Sequence, residues 1–413
     1  MTNDVKNVPG LRFPGFEDVW KEKNLGRVLD IKSGKAYKEN EYTIKGVPLL
    51  QGENINHNKL KKPTVFLPDS YLNDNKNTIL EKDDIVVGLN RPIIKNQLKI
   101  AKVSNEFIPG ILYQRSGKII YDKSKPDFYL NFFDKQIKEF VLKESVGSDQ
   151  PFISTIQLKK KRVYIPVNEN EIVLLNHFFS KLDRQIELEE QKLAKLEEQK
   201  KGYMQKIFSQ ELRFKDEKGN DYPEWKTKKL DELGEFNSGV GFPEKYQGGN
   251  TGVPFFKVSD MNLLGNEKFM NTANNYVSIE QIKQKKWKVI QSVPAIIFAK
   301  VGAAIMLNRK RMILNPFLID NNTMSYSFFN HWDTNFGYVV FQMLNLPKYA
   351  QVGALPSYNS KDIGIIQIRL PIKEEQEKIG DFFSKLDEHI DKQSQKIDRL
   401  KLRKQGFLQK MFI

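Results

Sequence analysis

The chain has 413 residues, in which 66 Lys and Arg stand against 51 Asp and Glu, a formal net charge of +15. That length exceeds one ordinary core and suits two or three domains, and the cationic excess favours a polyanionic partner, nucleic acid first among them. The absence of cysteine excludes disulfides, a thiol nucleophile and Cys-ligated zinc or iron–sulfur sites, and fits a reducing compartment.

Along the chain, MTNDVKNVPG is polar and lacks the apolar core of a signal peptide. The segment 15–167 mixes turns with β-rich runs, of which DDIVVGLN, KIAKV and RVYIPV read as strands. Residues 178–208 follow without proline, rich in Glu, Lys, Gln and Leu, and read as one long helix. The segment 213–372 is again β-rich, with strands expected at PAIIFAKVG and IIQIRLP, and 382–412 reads as a second long helix. The most apolar run, VPAIIFAKVGAAIML at 293–307, is broken by Lys300 and too short for a bilayer. His57, His177, His331 and His389 are scattered without metal-ligand spacing. The expectation is a soluble, cytoplasmic protein that binds no metal and touches no membrane.

FFSKLD at 178–183 is written again at 382–387. Aligned from there, the two helices agree at about half their positions down to QKIF and QKMF, so the chain holds an internal duplication. The remainder is duplicated more loosely. LRF at 11–13 returns at 212–214, Trp20 and Ser33-Gly34 match Trp225 and Ser238-Gly239, and GVPLLQGENI corresponds to GVPFFKVSDM. The first helix runs on into LRF, whereas the second stops at Ile413, and its missing LRF lies at the beginning of the chain. This is a circular arrangement, which predicts an N-terminus beside the tip of the last helix.

Seam positions step by three and four through Leu182, Ile186, Glu189, Leu193, Leu196, Lys200 and Tyr203, and through Leu386, Ile390, Gln393, Ile397, Leu400, Lys404 and Phe407. A parallel pairing would set Lys200 beside Lys404. An antiparallel one matches Glu189 with Lys404, Lys200 with Gln393, Leu193 with Leu400 and Leu196 with Ile397. The expected fold is therefore α+β: two globular domains separated by a long intramolecular antiparallel two-helix coiled coil, in a pseudo-twofold circular repeat. The domains are 1–167 and 213–372, and the spacer helices 168–212 and 373–413. A helix of this length makes a rod of roughly 45 Å, suited to two half-sites about one duplex turn, or ~34 Å, apart.

Polar loops supply candidate base and phosphate contacts: Ser33, Lys35, Gln51, Asn54, Arg91, Lys95, Ser148 and Gln150 in the first copy, and Lys245, Lys257, Asp260, Lys300, Asn308, Arg309, Ser357 and Asn359 in the second. Catalytic signatures are missing. No phosphate-cradling G-x-x-x-x-G-K-[ST] occurs; Asn315-Pro316-Phe317 lacks the second proline of an adenine-methylating motif, and Pro68-Asp69 with Asp74 and Lys76 is too closely spaced for a nuclease site. Gly202 and Gly406, set in strong helices, read as docking points for a partner or for the N-terminal segment.

Two divergent domains, two near-identical helices and a circular layout resemble the specificity subunit of a type I restriction–modification system. PIKEEQEKIGDFFSKLDEHI at 371–390, with Glu375-Gln376, is similar to the start of that family's second spacer helix, and GSDQPFIS to a loop of its recognition domains; PVNENEIVLLNHFFSKLD at 166–183 lacks the Glu-Gln pair. The resemblance implies a non-catalytic, sequence-specific DNA-binding subunit whose two target-recognition domains each read half of a bipartite site in double-stranded DNA. It implies two methyltransferase subunits and two motor–nuclease subunits as partners, with S-adenosylmethionine, ATP and Mg2+ bound by those partners. The alternatives are a coiled-coil scaffold that binds nucleic acid without specificity and a stand-alone nuclease or methyltransferase.

Overall fold

The computed structural model describes residues 7–76, 78–144, 152–351 and 355–413. The chain forms two compact units, Met1–Lys192 with Gln393–Ile413, and Leu193–Lys392. Each unit therefore holds one half of each long helix, Glu169–Phe208 and Lys373–Met411. Both helices begin with two glutamates and end near a lysine, which complements the helix dipole.

In unit one a four-stranded antiparallel sheet runs in the order Ile100–Lys102, Ile85–Gly88, Ser116–Ile120, Asp30–Ser33. A smaller sheet sets Val47–Leu50 between Ile111–Leu112, parallel to it, and Phe66–Leu67, antiparallel. Unit two repeats both. Its large sheet is Lys310–Ile313, Ala295–Ala299, Thr323–Phe328, Gly234–Ser238, and its small one sets Val253–Phe256 between Leu318–Ile319 and Tyr276–Val277 in the same senses. The loose sequence duplication is thus a duplicated topology. The strands read from DDIVVGLN and PAIIFAKVG are apolar throughout because both faces are covered. Val87 joins the core around Trp20 while Val86 joins a second core with Leu50; Phe298 and Ile297 divide in the same way.

Ser33-Gly34 and Ser238-Gly239 have a packing cause. A Cβ on Gly34 would stand 1.9 Å from the Leu112 carbonyl oxygen, and one on Gly239 1.7 Å from that of Asp320, so only glycine fits where these strands leave the large sheet.

One buried carboxylate anchors each unit. Glu171 accepts from Arg12 Nε at 2.6 Å, Arg12 Nη2 at 2.8 Å and the Trp20 indole at 3.2 Å. Glu375 accepts from Arg213 at 3.2 and 2.7 Å and from the Trp225 indole at 3.0 Å. The arginine of each LRF and the tryptophan that follows are therefore welded to the first turn of a long helix. Glu171 stands where the second copy has Glu375, so only the glutamine of the Glu-Gln pair is lost. In unit two Gln376 Oε1 accepts from the amide of Asp333, whose side chain caps the helix Thr334–Met343. In unit one Asn176 Oδ1 takes the amides of Asp127 and Phe128 at the start of Pro126–Glu144.

The circular layout is present in the hydrogen bonds. Leu212 donates its amide to Lys206 O at 3.0 Å within a continuous stretch, and Leu11 donates to Lys410 O at 2.9 Å across the two ends of the chain. Phe412 is buried against Phe179, ring centroids 5.5 Å apart, a burial worth on the order of 2 kcal/mol.

Within each unit the helix halves are antiparallel, in a different register from the seam expectation. Gln393 donates to Glu189, its own repeat counterpart, at 2.6 Å. Lys404 pairs with Asp183 at 2.6 Å instead of Glu189, and Lys200 with Asp387 at 2.5 Å instead of Gln393. The aspartates of the two FFSKLD copies flank the seam and reach both lysines, and this register also sets Phe178 against Phe407 and Tyr203 against Phe382. Leu182, Ile186 and Ile397 are buried; Leu193, Leu196, Leu386, Ile390 and Leu400 are half-buried. Among the described residues, nothing lies within 4 Å of where a side chain on Gly202 or Gly406 would stand. Among the described residues, no helix is long and apolar enough to cross a membrane.

Either Asp183→Lys or Lys404→Asp places like charges in the seam and should cost about 2 kcal/mol or more. Thermal unfolding of the double variant should recover most of that loss; equal, additive losses would contradict the pairing.

Candidate nucleic-acid interface

In both units the same two loops converge at one end of the large sheet. The first follows the central strand of the small sheet. In unit one it is Gln51–Asn54, in unit two Lys257–Asp260, and each is a tight turn closed by its last side chain. Asn54 Oδ1 accepts the Gln51 amide at 2.9 Å, and Asp260 Oδ2 accepts the Lys257 amide at 2.8 Å. Asn54 and Asp260 are accordingly buried, Gln51 and Lys257 are half-buried, and Glu53 and Ser259 are the exposed residues of the two turns. Lys257 Nζ donates to Gln247 Oε1 at 3.1 Å.

The second loop leaves the middle of the large sheet. In unit one it is Leu89–Arg91 and the hairpin Ile93–Ile94 with Gln97–Leu98. Arg91, Lys95 and Asn96 all have positive φ, and the two-residue Lys95-Asn96 turn matches the right-handed twist of its strands. Arg91 and Lys95 are exposed. Lys99 lies half-buried below them, its ammonium pushed down from the usual lysine range by burial and then by Arg91 and Lys61. Lys61 reaches this cluster from the first loop, its amide bonded to Asn54 O at 2.8 Å. In unit two a 3-10 turn, Ala303–Leu307, replaces the hairpin. Arg309, which follows it, bonds Asn262 at the end of the first loop.

A third segment crosses beneath the second loop. Ile153 donates its amide to Leu89 O at 3.0 Å and Tyr358 donates to Lys300 O at 3.2 Å, so these two residues occupy equivalent places. Ser148 and Gln150 lie outside the described residues. Ser357 bridges to Val301 and Gln351, and Asn359 caps the short helix Ser360–Gly364 through the Lys361 and Asp362 amides. Asn308 is occupied between Leu344 O, at 3.0 Å, and the Leu346 amide, at 3.3 Å.

Farther from this convergence, Ser33 is exposed at the end of its strand. Lys35 donates to Asp74 O at 2.8 Å. Lys245 is exposed, its ammonium 5.2 Å from the centroid of the Tyr246 ring. The structure thus brings Arg91 together with Lys61, Lys99 and Glu53 in unit one and Arg309 against Asn262 in unit two, while Asn54, Asp260, Asn308 and Asn359 hold turns and caps. Lys61 and Lys99 escaped sequence reading, since only folding joins their loops. Phe317 of the Asn-Pro-Phe stretch is buried, and Asp69–Asn75 is a 3-10 helix. Among the described residues no group of His, Asp or Glu could hold a metal.

Two copies of one α+β unit, each anchored to long helices and each presenting convergent cationic loops, define a tandem-repeat binding protein. A model of the type I restriction modification DNA specificity domain matches the chain twice, at residues 17–198 and 222–402, and the chain belongs to that family. It is 34% identical over 204 residues to the specificity subunit of the type I restriction enzyme MjaVIII of Methanocaldococcus jannaschii, covering 48% of this chain and 47% of that one. It is 37% identical over 100 residues to the specificity subunit of EcoAI of Escherichia coli, covering 24% of this chain and 17% of that one. These matches therefore span about half, and much less than half, of the two relatives. The crystal structure of an S subunit of a type I restriction–modification system from M. genitalium aligns over 98% of this chain and 99% of its own with a TM-score of 0.56. A chain from a study of complex assembly and conformational transition in a type I system aligns over 95% and 97% with 0.58. Both are 16% identical, so this likeness is one of fold.

Lys310, beside these loops, is buried and donates to Leu344 O at 2.6 Å. Burial pushes its ammonium down from 10.5 to about 8. The unfolded chain then binds the extra proton below pH ~10.5, and the folded chain only below about 8, so burying this lysine costs stability in full at pH 7. Lys310→Met should raise the unfolding midpoint at pH 7, with the gain shrinking as pH climbs from about 8 towards 10.5. A pH-independent difference would contradict the burial cost.

Proposed function

We propose that this chain is the DNA-sequence-recognition subunit of a type I restriction–modification complex, and that it performs no chemistry itself. The observation that carries this reading is the coincidence of two family matches with two copies of one fold, in which the anchoring contacts are repeated and the converging loops differ. A shared reader of one sequence would keep the loops alike; Gln51-Gly-Glu-Asn54 against Lys257-Val-Ser-Asp260, and a hairpin against a 3-10 turn, suit two different half-sites. The recognition domains are assigned to 1–167 and 213–372, and the spacer helices to 168–212 and 373–413.

In this reading Arg and Lys on the loops neutralise phosphates and bond guanine edges, and Gln51 suits an adenine edge. Two methyltransferase subunits dock on the helices and methylate adenines with S-adenosylmethionine. Two motor–nuclease subunits use ATP and Mg2+ to cleave unmodified DNA. A cytoplasmic location for the complex is part of this proposal.

The purified complex should prefer a duplex carrying its methylated motif to a random duplex by about a thousandfold or more. Absence of preference would favour the non-specific scaffold. The isolated chain, incubated with DNA, Mg2+ and S-adenosylmethionine, should leave the DNA unmodified; methylation or cleavage by the chain alone would overturn the assignment.

A further inference from the structure

The converging loops carry large apolar side chains in solvent as well as cations. Ile94 and Phe152 in unit one, and Met306, Leu307 and Leu355 in unit two, are between 49% and 66% exposed. Single exposed apolar residues are ordinary, but here they lie on the second loop and on the third segment bonded to it in both copies of the fold, written with different residues. These residues are held, not trailing. Phe152 is bridged to Asn90, next to Arg91. Ile94 sits on a hairpin whose turn residues Lys95 and Asn96 keep left-handed backbones that side chains disfavour. Leu355 lies over Gly302, its Cδ2 3.5 Å from the position a Cβ would take, and the Gly302 amide donates to Pro356 O at 2.8 Å.

We infer that these side chains are apolar wedges that pack against bases in a DNA groove while the neighbouring cations hold the flanking phosphates. This rests on the recognition reading and says how the loops would read. The chemistry that covers such a surface must be anionic at its edge and apolar within reach of it. Duplex DNA combines the two, through its phosphates and through thymine methyl groups and partly unstacked base steps. Unit one supplies the phosphate-binding side through Arg91, Lys61 and Lys99, with Lys95 exposed on the adjoining hairpin turn; burial first, then Arg91 and Lys61, depress the Lys99 ammonium, and Glu53 opposes them.

The test uses the full chain in complex with its methyltransferase subunit and a duplex of about thirty base pairs carrying the motif methylated in cells. Met306→Ser with Leu307→Ser, and separately Leu355→Ser, should weaken binding at least tenfold. The slope of log affinity against log salt should stay unchanged, because no phosphate contact is lost. Lys95→Ala should lower that slope by about 0.9. Unchanged affinity in the serine variants would overturn the wedge, as would a loss explained by failure to co-purify with the methyltransferase, which would make the patch a protein interface. A wild-type complex that does not distinguish this duplex from a random one would overturn the recognition reading, and the wedge with it.

Discussion

A carboxylate without water must have its charge met, and this requirement organises each half of the molecule. Glu171 and Glu375 are buried and satisfied only because an arginine and a tryptophan arrive from the segment that opens each unit. Removing one partner from such a site leaves an uncompensated charge, at a cost of roughly 3–5 kcal/mol. The anchor therefore ties the LRF segment and the first strand region close behind it to the start of a long helix 150 to 162 residues away. In unit two LRF follows directly from the preceding helix. In unit one it comes from the beginning of the chain and reaches the same place without a covalent link, assisted by Phe412 and the Leu11–Lys410 bond.

The helices work by the same electrostatic logic at lower stakes. Lys200 and Lys404 interrupt an apolar seam, and each finds the aspartate of an FFSKLD copy. In unit two Asp387 also faces Lys268 at 3.6 Å, so the domain and its helix share one carboxylate. Anchors and seam repeat while the loops diverge. The constant parts hold the scaffold and the variable parts face outward, the division expected when recognition is varied on a fixed frame.

Much of this was legible in the sequence. The helix duplication was plain because a seam tolerates few residue types at fixed spacing, and central strands stood out because both of their faces are covered. The helix register was misread, since Asp183 and Asp387 sit one position off the seam and were left out of the pairing. Glu171 went unrecognised because Ile172 replaces the adjacent glutamine and Asn176 takes over its capping work. Asn54 and Asp260 looked like base readers for the same reason that they close turns, a short polar side chain that reaches its own backbone. The exposed Met306, Leu307 and Leu355 had no signal at all, because an apolar residue in a string of letters gives no hint of which side it faces.

The central claim is that two structurally equivalent units read two unlike sequences independently. Its most direct measurement is the adenine-methylation pattern of cells in which residues 213–372 have been exchanged for the corresponding domain of another member of the family. One half of the methylated motif should change and the other should persist base for base. A pattern in which both halves change would contradict independent reading by the two units.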